Sequence, residues 1–342
     1  MLIVRPVALS DLDAVYDLAV QAGDGMTSLS RDKLRLTEKI EHVERCFCSN
    51  EAAATDVFWL VLECTERRRL AGIAGLYART GSQQAFYAYR VSAANHYSHS
   101  LQKEVRSNVL HLTNDYTDCS EVGTLFVHPD FRGNGAWLAR ARYQLMASFR
   151  HRFAEDVIAE IRGYLDERGQ SPFWEAIGRP FFEMDYAEAD HLCSTGSNQF
   201  ITELMPKYPI YTRMLPETAQ QVIGVPHQAA ARARQLLEEE GFHYERVVDI
   251  FDGGPMLRAR TEHIRSLRES EVLTLQKIDN SLTSAAETRV RVGLFSNLSL
   301  SAFRACRYAL PVGSDEQTLP EPVARALNLE PGMPFRRLWL EK

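Results

Sequence analysis

The apolar positions of this chain fall into short β-type runs and helical repeats, and the clearest pair lies at its centre. Glu121 to Val127 is short, apolar and rich in β-branched and aromatic residues, as an interior strand should be, and His128-Pro129 forbids its regular continuation. After Arg132-Gly133-Asn134-Gly135, the residues Trp137, Leu138, Ala141, Leu145 and Phe149 recur at helical spacing, with Arg140, Arg142 and Arg150 expected on other faces. The pattern is strand, glycine turn, helix.

Before this centre, Leu2 to Val4 reads as a strand, Ser10-Asp11 as the cap of a helix through Leu18, and Leu34 to Val43 as a second helix. Between the helices, Gly23 to Leu29 forms a polar, glycine-rich loop. Val57 to Leu62 and Leu70 to Tyr77 are strands joined by Glu66-Arg67-Arg68-Arg69, whose arginines are expected to be solvated at the hairpin tip. Ala78 to Asp118 shows no clear period, and its tyrosines and histidines read as loop or packing residues.

Beyond the centre, Val157 to Ile161 is a strand and Ser171 caps a short helix opening on Pro172, with Phe181 to Met184 expected as the next strand. Gln228 to Glu240 is a helical run stopped by Gly241, followed by a strand over Val247 to Phe251. Helix, glycine and aromatic strand thus occur twice, which reads as a core that is extended or partly duplicated. After Asp252-Gly253-Gly254-Pro255 the runs Val272 to Leu275, Arg289 to Leu294 and Phe335 to Leu340 alternate as strands, with one helix over Pro320 to Leu327. This divides the chain into a domain over 1–255 and a small β-rich, barrel-like domain over 256–342.

Length and composition narrow the function. With 342 residues, 45% of them hydrophobic, the chain can bury a sizeable core, and a net charge of −6 argues against nucleic acid as its main partner. The six cysteines are scattered and neither they nor the histidines show metal-ligand spacing, so no metal is expected and reduced thiols of a cytoplasmic protein are the better reading. The opening MLIVRPVALSDLD meets Arg5 too early for a signal peptide, and no run approaches a membrane span.

The central turn carries the candidate chemistry. The first turn of a helix offers N–H groups without intrahelical partners and the positive end of the macrodipole, so Arg132, Gly133, Asn134 and Gly135 could seat a diphosphate. Glycines in such a turn also arise for purely conformational reasons.

The run LFVHPDFRGNGA resembles the central motif of the GNAT superfamily of acyl-CoA N-acyltransferases, through Leu125, Val127, Arg132 and Gly135. Trp137 departs from it, a small residue being usual there. The superfamily implies an α+β fold, a mixed and mostly antiparallel sheet flanked by helices, with a coenzyme A pyrophosphate on the loop amides. GDGMTSL, EVGTLF, RGYLDERGQSPFWEAIG, FITELMPKYPIY and EEEGFHYERVVDIFDGGPML together are similar to the arginine N-succinyltransferase family over about residues 1 to 258.

That resemblance implies succinyl-CoA as donor and the α-amino group of L-arginine as acceptor. Leu125 is the residue implied to contact succinyl-CoA, and His227, in GVPHQ, the proton donor; a capping or packing role is the alternative for this histidine. A guanidinium pairs best with carboxylates, so Asp115, Asp249 and Asp252 are candidates for arginine, each equally well explained as a turn or cap residue, and Arg90 is a candidate for the succinyl carboxylate. No cysteine has a compelling histidine partner, which favours direct transfer over an acyl-enzyme. Ornithine is the alternative acceptor. A competing reading is a non-catalytic or regulatory subunit of a heteromeric arginine/ornithine succinyltransferase, because some bacteria carry two related chains. Either reading leaves a homo-oligomer or a hetero-oligomer as the expected assembly.

Overall fold

The structure is a computed structural model and describes residues 1–23, 26, 28–195, 199–283 and 289–340. Of the glycine-rich loop after the first helix, Asp24, Gly25 and Thr27 lie outside the described residues.

In chain order the strands are β1 (Leu2–Pro6), β2 (Val57–Cys64), β3 (Arg69–Tyr77), β4 (Ala88–Ser98), β5 (Lys103–Thr113), β6 (Ser120–Val127), β7 (Asp156–Glu160) and β8 (Ile210–Tyr211). They continue with β9 (His243–Val248), β10 (Pro255–Arg260), β11 (Glu271–Thr274), β12 (Lys277–Ile278), β13 (Val290–Asn297), β14 (Ala305–Pro311), β15 (Thr318–Leu319) and β16 (Pro334–Trp339). The helices are α1 (Leu12–Ala22), α2 (Lys33–Cys48), α3 (Gly135–Ser148), α4 (Pro172–Ile177), α5 (Arg179–Phe182) and α6 (Tyr186–Thr195). After them come α7 (Gln199–Leu204), α8 (Glu217–Val222), α9 (Ala231–Glu240), α10 (Arg265–Arg268) and α11 (Glu321–Leu327). None of the described helices is long and apolar enough to cross a membrane.

Two compact units result. One comprises Met1–Ala78, Val122–Ala154 and Thr261–Lys342; the other comprises Arg79–Glu121 and Glu155–Arg260. In the first, strands pair in the order β11-β16-β13-β14-β1-β2-β3-β6. The run Phe58-Trp59-Leu60-Val61-Leu62 is buried throughout because α2 packs on β2, which is why it reads as a continuous apolar stretch without alternation. Helix α3 buries nine residues on nearly all sides, among them Arg142 and Gln144, and Gln144 donates to the carbonyl of Leu294 at 2.8 Å. Arg142, expected on a face other than the apolar one, is buried as well; with β3, β13 and α10 all packed against α3, little of that helix is left to face water.

The strands beyond residue 260 belong to this same unit. β14 pairs antiparallel with β1 through Ile3↔Cys306 and Val4↔Ala305, and α11 buries Val323, Ala324 and Leu327 against a cluster containing Ile3, Phe295 and Phe335. The composition change near residue 255 therefore marks a return of the chain to its first sheet. Asp11, expected in the cap of the first helix, makes no side-chain cap bond to α1: its carboxylate accepts from the Ala8 N–H at 2.9 Å and from both terminal nitrogens of Arg5.

The second unit has the order β7-β10-β9-β4-β5-β8, antiparallel throughout, with the first two residues of β6 added in parallel through Ser120↔Val157 and Glu121↔Ile158. Three departures from the sequence reading occur here, the first being that the strand expected over Val247 to Phe251 runs over His243–Val248, because the Asp249 carboxylate turns the chain by accepting from the Phe251 and Asp252 N–H groups. Residues 88–113 form a long hairpin of two eleven-residue strands, unrecognised because burial alternates only near its base and the outer part is wet on both faces. Phe181 and Phe182, expected to begin a strand, belong to α5, where Pro180 fits the first turn and Phe182 stacks on Trp174 at 5.4 Å. The sheet of each unit is mostly antiparallel and flanked by helices, the α+β class expected.

Candidate active site

In the first unit, β6 delivers the chain to the glycine turn. His128 begins a short 3-10 turn over Pro129–Phe131, its Nδ1 accepting from the Asp130 N–H at 3.1 Å. Asp130 in turn pairs with Arg69 at 3.1 Å and Arg67 lies over the Phe131 ring at 5.5 Å, so that two of the three hairpin arginines are engaged with this loop. Gly133 adopts φ +92°, and a Cβ there would meet open space, so conformation and not crowding requires glycine. Asn134 ties the loop together: its Nδ2 donates to the Phe131 carbonyl at 2.7 Å, and its Oδ1 accepts from Trp137 Nε1 at 2.9 Å. Trp137, the departure from the superfamily motif, is thus buried and serves the loop.

Helix α3 starts at Gly135, and its first-turn N–H groups have no partners within the helix. Beside this start lies a cavity of about 520 Å³ lined by Gly133, Ala136 and Trp137 on one side and by Arg307 and Tyr308 on the other. Leu125 is half-buried on β6 and Arg132 is exposed at the turn. The structure therefore brings Leu125, Arg132, Gly133, Asn134 and Gly135 onto one strand-turn-helix. Thr124, which precedes Leu125, has φ +50° in mid-strand. Its one sequence signal was Gly123, since a glycine inside a strand often marks an irregularity.

In the second unit, His227 lies half-buried at the start of a 3-10 turn that leads into α9. Its ring Nδ1 accepts from the Ala229 N–H at 3.2 Å, so the neutral imidazole carries its proton on Nε2. Its main-chain N–H donates to the Arg162 carbonyl at 2.8 Å, and Pro226 bridges to Gly163. Gly224 donates to the Gly253 carbonyl at 2.8 Å with φ +74°, and a Cβ there would strike the Tyr244 hydroxyl.

The acidic candidates occupy the turn after β9. Asp249 Oδ1 accepts from the N–H groups of Phe251 at 2.7 Å and Asp252 at 2.9 Å. Asp252 accepts from Gly163 N–H at 2.6 Å and from Gly254 N–H at 2.8 Å. Both carboxylates thus bind main chain and brace the segment that carries His227. The Asp249 residue keeps some surface, but its carboxyl is turned into the loop, and burial and then the Asp252 charge push its pKa up to about 7. Asp115 pairs with Arg90 at 2.8 Å, and Arg90 holds the Asp115 carboxyl below its ordinary range. Two candidates for opposite ends of the substrates thereby satisfy each other.

A family model described as the arginine N-succinyltransferase beta subunit matches residues 2–266. A protein named arginine N-succinyltransferase from Citrobacter koseri is 43% identical over 275 residues, 80% of each chain. Its namesakes from Shigella flexneri serotype 5b and Escherichia coli K12 are 42% identical over the same length, again 80% of each chain. Among solved structures, subunit AI of the arginine/ornithine succinyltransferase of Pseudomonas aeruginosa is 34% identical, with a TM-score of 0.87 over 100% of this chain and 99% of its own.

Proposed function

Because the chain belongs to the arginine N-succinyltransferase family, we propose that it transfers the succinyl group of succinyl-CoA to the α-amino nitrogen of L-arginine, yielding N2-succinylarginine and free coenzyme A. One arrangement carries the reading: β6 runs through Leu125 into the Arg132–Gly135 turn and straight onto the N-terminus of α3. In this reading the diphosphate of the donor sits on the main-chain N–H groups of Gly133 to Ala136, where the helix dipole favours negative charge. The thioester arm lies along Leu125.

Attack by the amine breaks the thioester carbon–sulfur bond and forms the amide. One proton leaves nitrogen for solvent and one arrives at sulfur from a donor group, which solvent then reprotonates. His227 is that group in our reading. Its Nδ1 bond to Ala229 favours the tautomer with Nε2–H outward, which suits donation to the departing sulfur. Direct transfer is supported by the cysteines, since burial raises the thiols of Cys46, Cys119 and Cys306, Cys119 to about 11, and leaves them poor nucleophiles.

The test is release of free thiol by the purified chain from succinyl-CoA with L-arginine, compared with L-ornithine through kcat/KM. Arginine-dependent release is expected. Binding of succinyl-CoA without release by either amine would point to a subunit that needs a second chain, and no binding would overturn the reading.

A further inference from the structure

Helix α3 carries a cation that the chemistry above does not use. Arg142 is 3% exposed, and its guanidinium donates to main-chain carbonyls: Nη1 to Gly75 at 3.2 Å and to Gly123 at 2.9 Å, and Nε to Ala139 at 3.3 Å. Its guanidinium lies 5.9 Å from the centre of the Tyr143 ring, and burial lowers its pKa. A core position filled only for packing would favour an apolar side chain, because a buried charge without a carboxylate is costly. The arginine has another use at this place.

Its two strand contacts fall on β3 and β6, on either side of one unusual residue. Thr124 follows Gly123 and holds φ +50°, a conformation that β-branched residues avoid. Four neighbours hold it there. Its hydroxyl donates to Ser28 Oγ at 2.9 Å and is bonded to the Tyr77 hydroxyl at 2.9 Å. Gly75 leaves the space it fills, since a Cβ at 75 would lie 3.1 Å from both Thr124 Cβ and Oγ1. Arg142 fixes the peptide on its N-terminal side. The direction of the chain through Leu125, Phe126 and Val127 depends on this point.

We propose that Arg142 is a positioning residue for the acyl-CoA: by gripping the carbonyls of Gly75 and Gly123 it holds the left-handed turn at Thr124 and so aims the Leu125 main chain at the thioester arm. The inference rests on the reading that succinyl-CoA lies along β6. It predicts an effect on the donor and not on the acceptor.

The experiment measures the succinyl-CoA dissociation constant by calorimetry, with kcat and the KM for arginine, in Arg142→Met, Thr124→Gly and the double variant. Arg142→Met should weaken succinyl-CoA about ten-fold or more while changing the arginine KM less than about two-fold. Glycine adopts the left-handed conformation unaided, so Thr124→Gly should restore about three-fold or more of the lost affinity in the double variant. A merely structural role gives no such rescue. If Arg142→Met does not fold, Arg142→Lys, which keeps the charge but loses the fork, should still weaken succinyl-CoA about three-fold. A folded Arg142→Met with unchanged succinyl-CoA affinity, or equal losses in both backgrounds, overturns the inference alone; wild-type chain that does not bind succinyl-CoA overturns this and the functional reading together.

Discussion

The Asp252 carboxylate accepts the main-chain N–H of Gly163 at 2.6 Å, and through it the turn after β9 is fastened to the strand end that receives His227. A Cβ on residue 163 would lie 2.5 Å from the Asp252 carbonyl oxygen and 2.6 Å from its Oδ1, so no larger residue fits without movement. Gly163→Ala should cost about 2–3 kcal/mol in urea denaturation, as overpacked core sites do. It should also lower kcat, because Arg162, which anchors the His227 N–H, is the adjacent residue.

The raised pKa of Asp249 has a defined sign. The folded chain keeps that proton up to about pH 7, whereas the unfolded chain releases it near pH 4, so stability falls as pH rises between the two and levels above. Asp249→Asn keeps an acceptor for the N–H groups of Phe251 and Asp252. It should be more stable than wild type by about 1–3 kcal/mol at pH 8, with the difference vanishing near pH 4, in urea titrations across that range. A constant difference at all pH values would show that folding leaves the pKa of this carboxyl unchanged.

His227 caps a turn and is proposed to move a proton, and substitution separates the two. His227→Ala should lower kcat about 10²- to 10⁴-fold. Asparagine can accept from the Ala229 N–H as the imidazole does, so His227→Asn should recover any lost stability without recovering turnover. Full activity in His227→Asn would reduce this histidine to a cap.

Trp137→Phe tests the loop. Phenylalanine retains most of the ring but not the indole N–H, leaving Asn134 Oδ1 without its 2.9 Å partner. A stability loss of about 1 kcal/mol is expected from thermal unfolding. Affinity for succinyl-CoA should fall more than the arginine KM changes, because Asn134 sits in the turn proposed to hold the diphosphate.

The sequence announced what is local. Pro129 after an apolar run, glycines before a helical repeat, and Ser171-Pro172 all act within a few residues, and the structure bears each out, with Ser171 Oγ accepting from the Trp174 N–H at 3.1 Å. Through-space relations were not legible. Nothing near Arg142 signals that its fork reaches Gly75, 67 residues away. The return of β14 to β1 is equally silent, since an antiparallel strand reads the same beside any partner. For Asp249 and Asp252 the sequence left a guanidinium partner and a turn residue equally open, and both carboxylates accept from turn amides.

The pairing of Ile3 with Cys306 also governs how the protein is made. On the ribosome, β1 emerges about 300 residues before the strand that covers its edge, and β2 protects only the other side. For most of translation that bare margin is a template for a neighbouring nascent chain. Growth temperature and chaperone supply should therefore decide the yield of intact protein, and losing β14 should send the product into inclusion bodies more readily than losing the exposed tip of the β4–β5 hairpin.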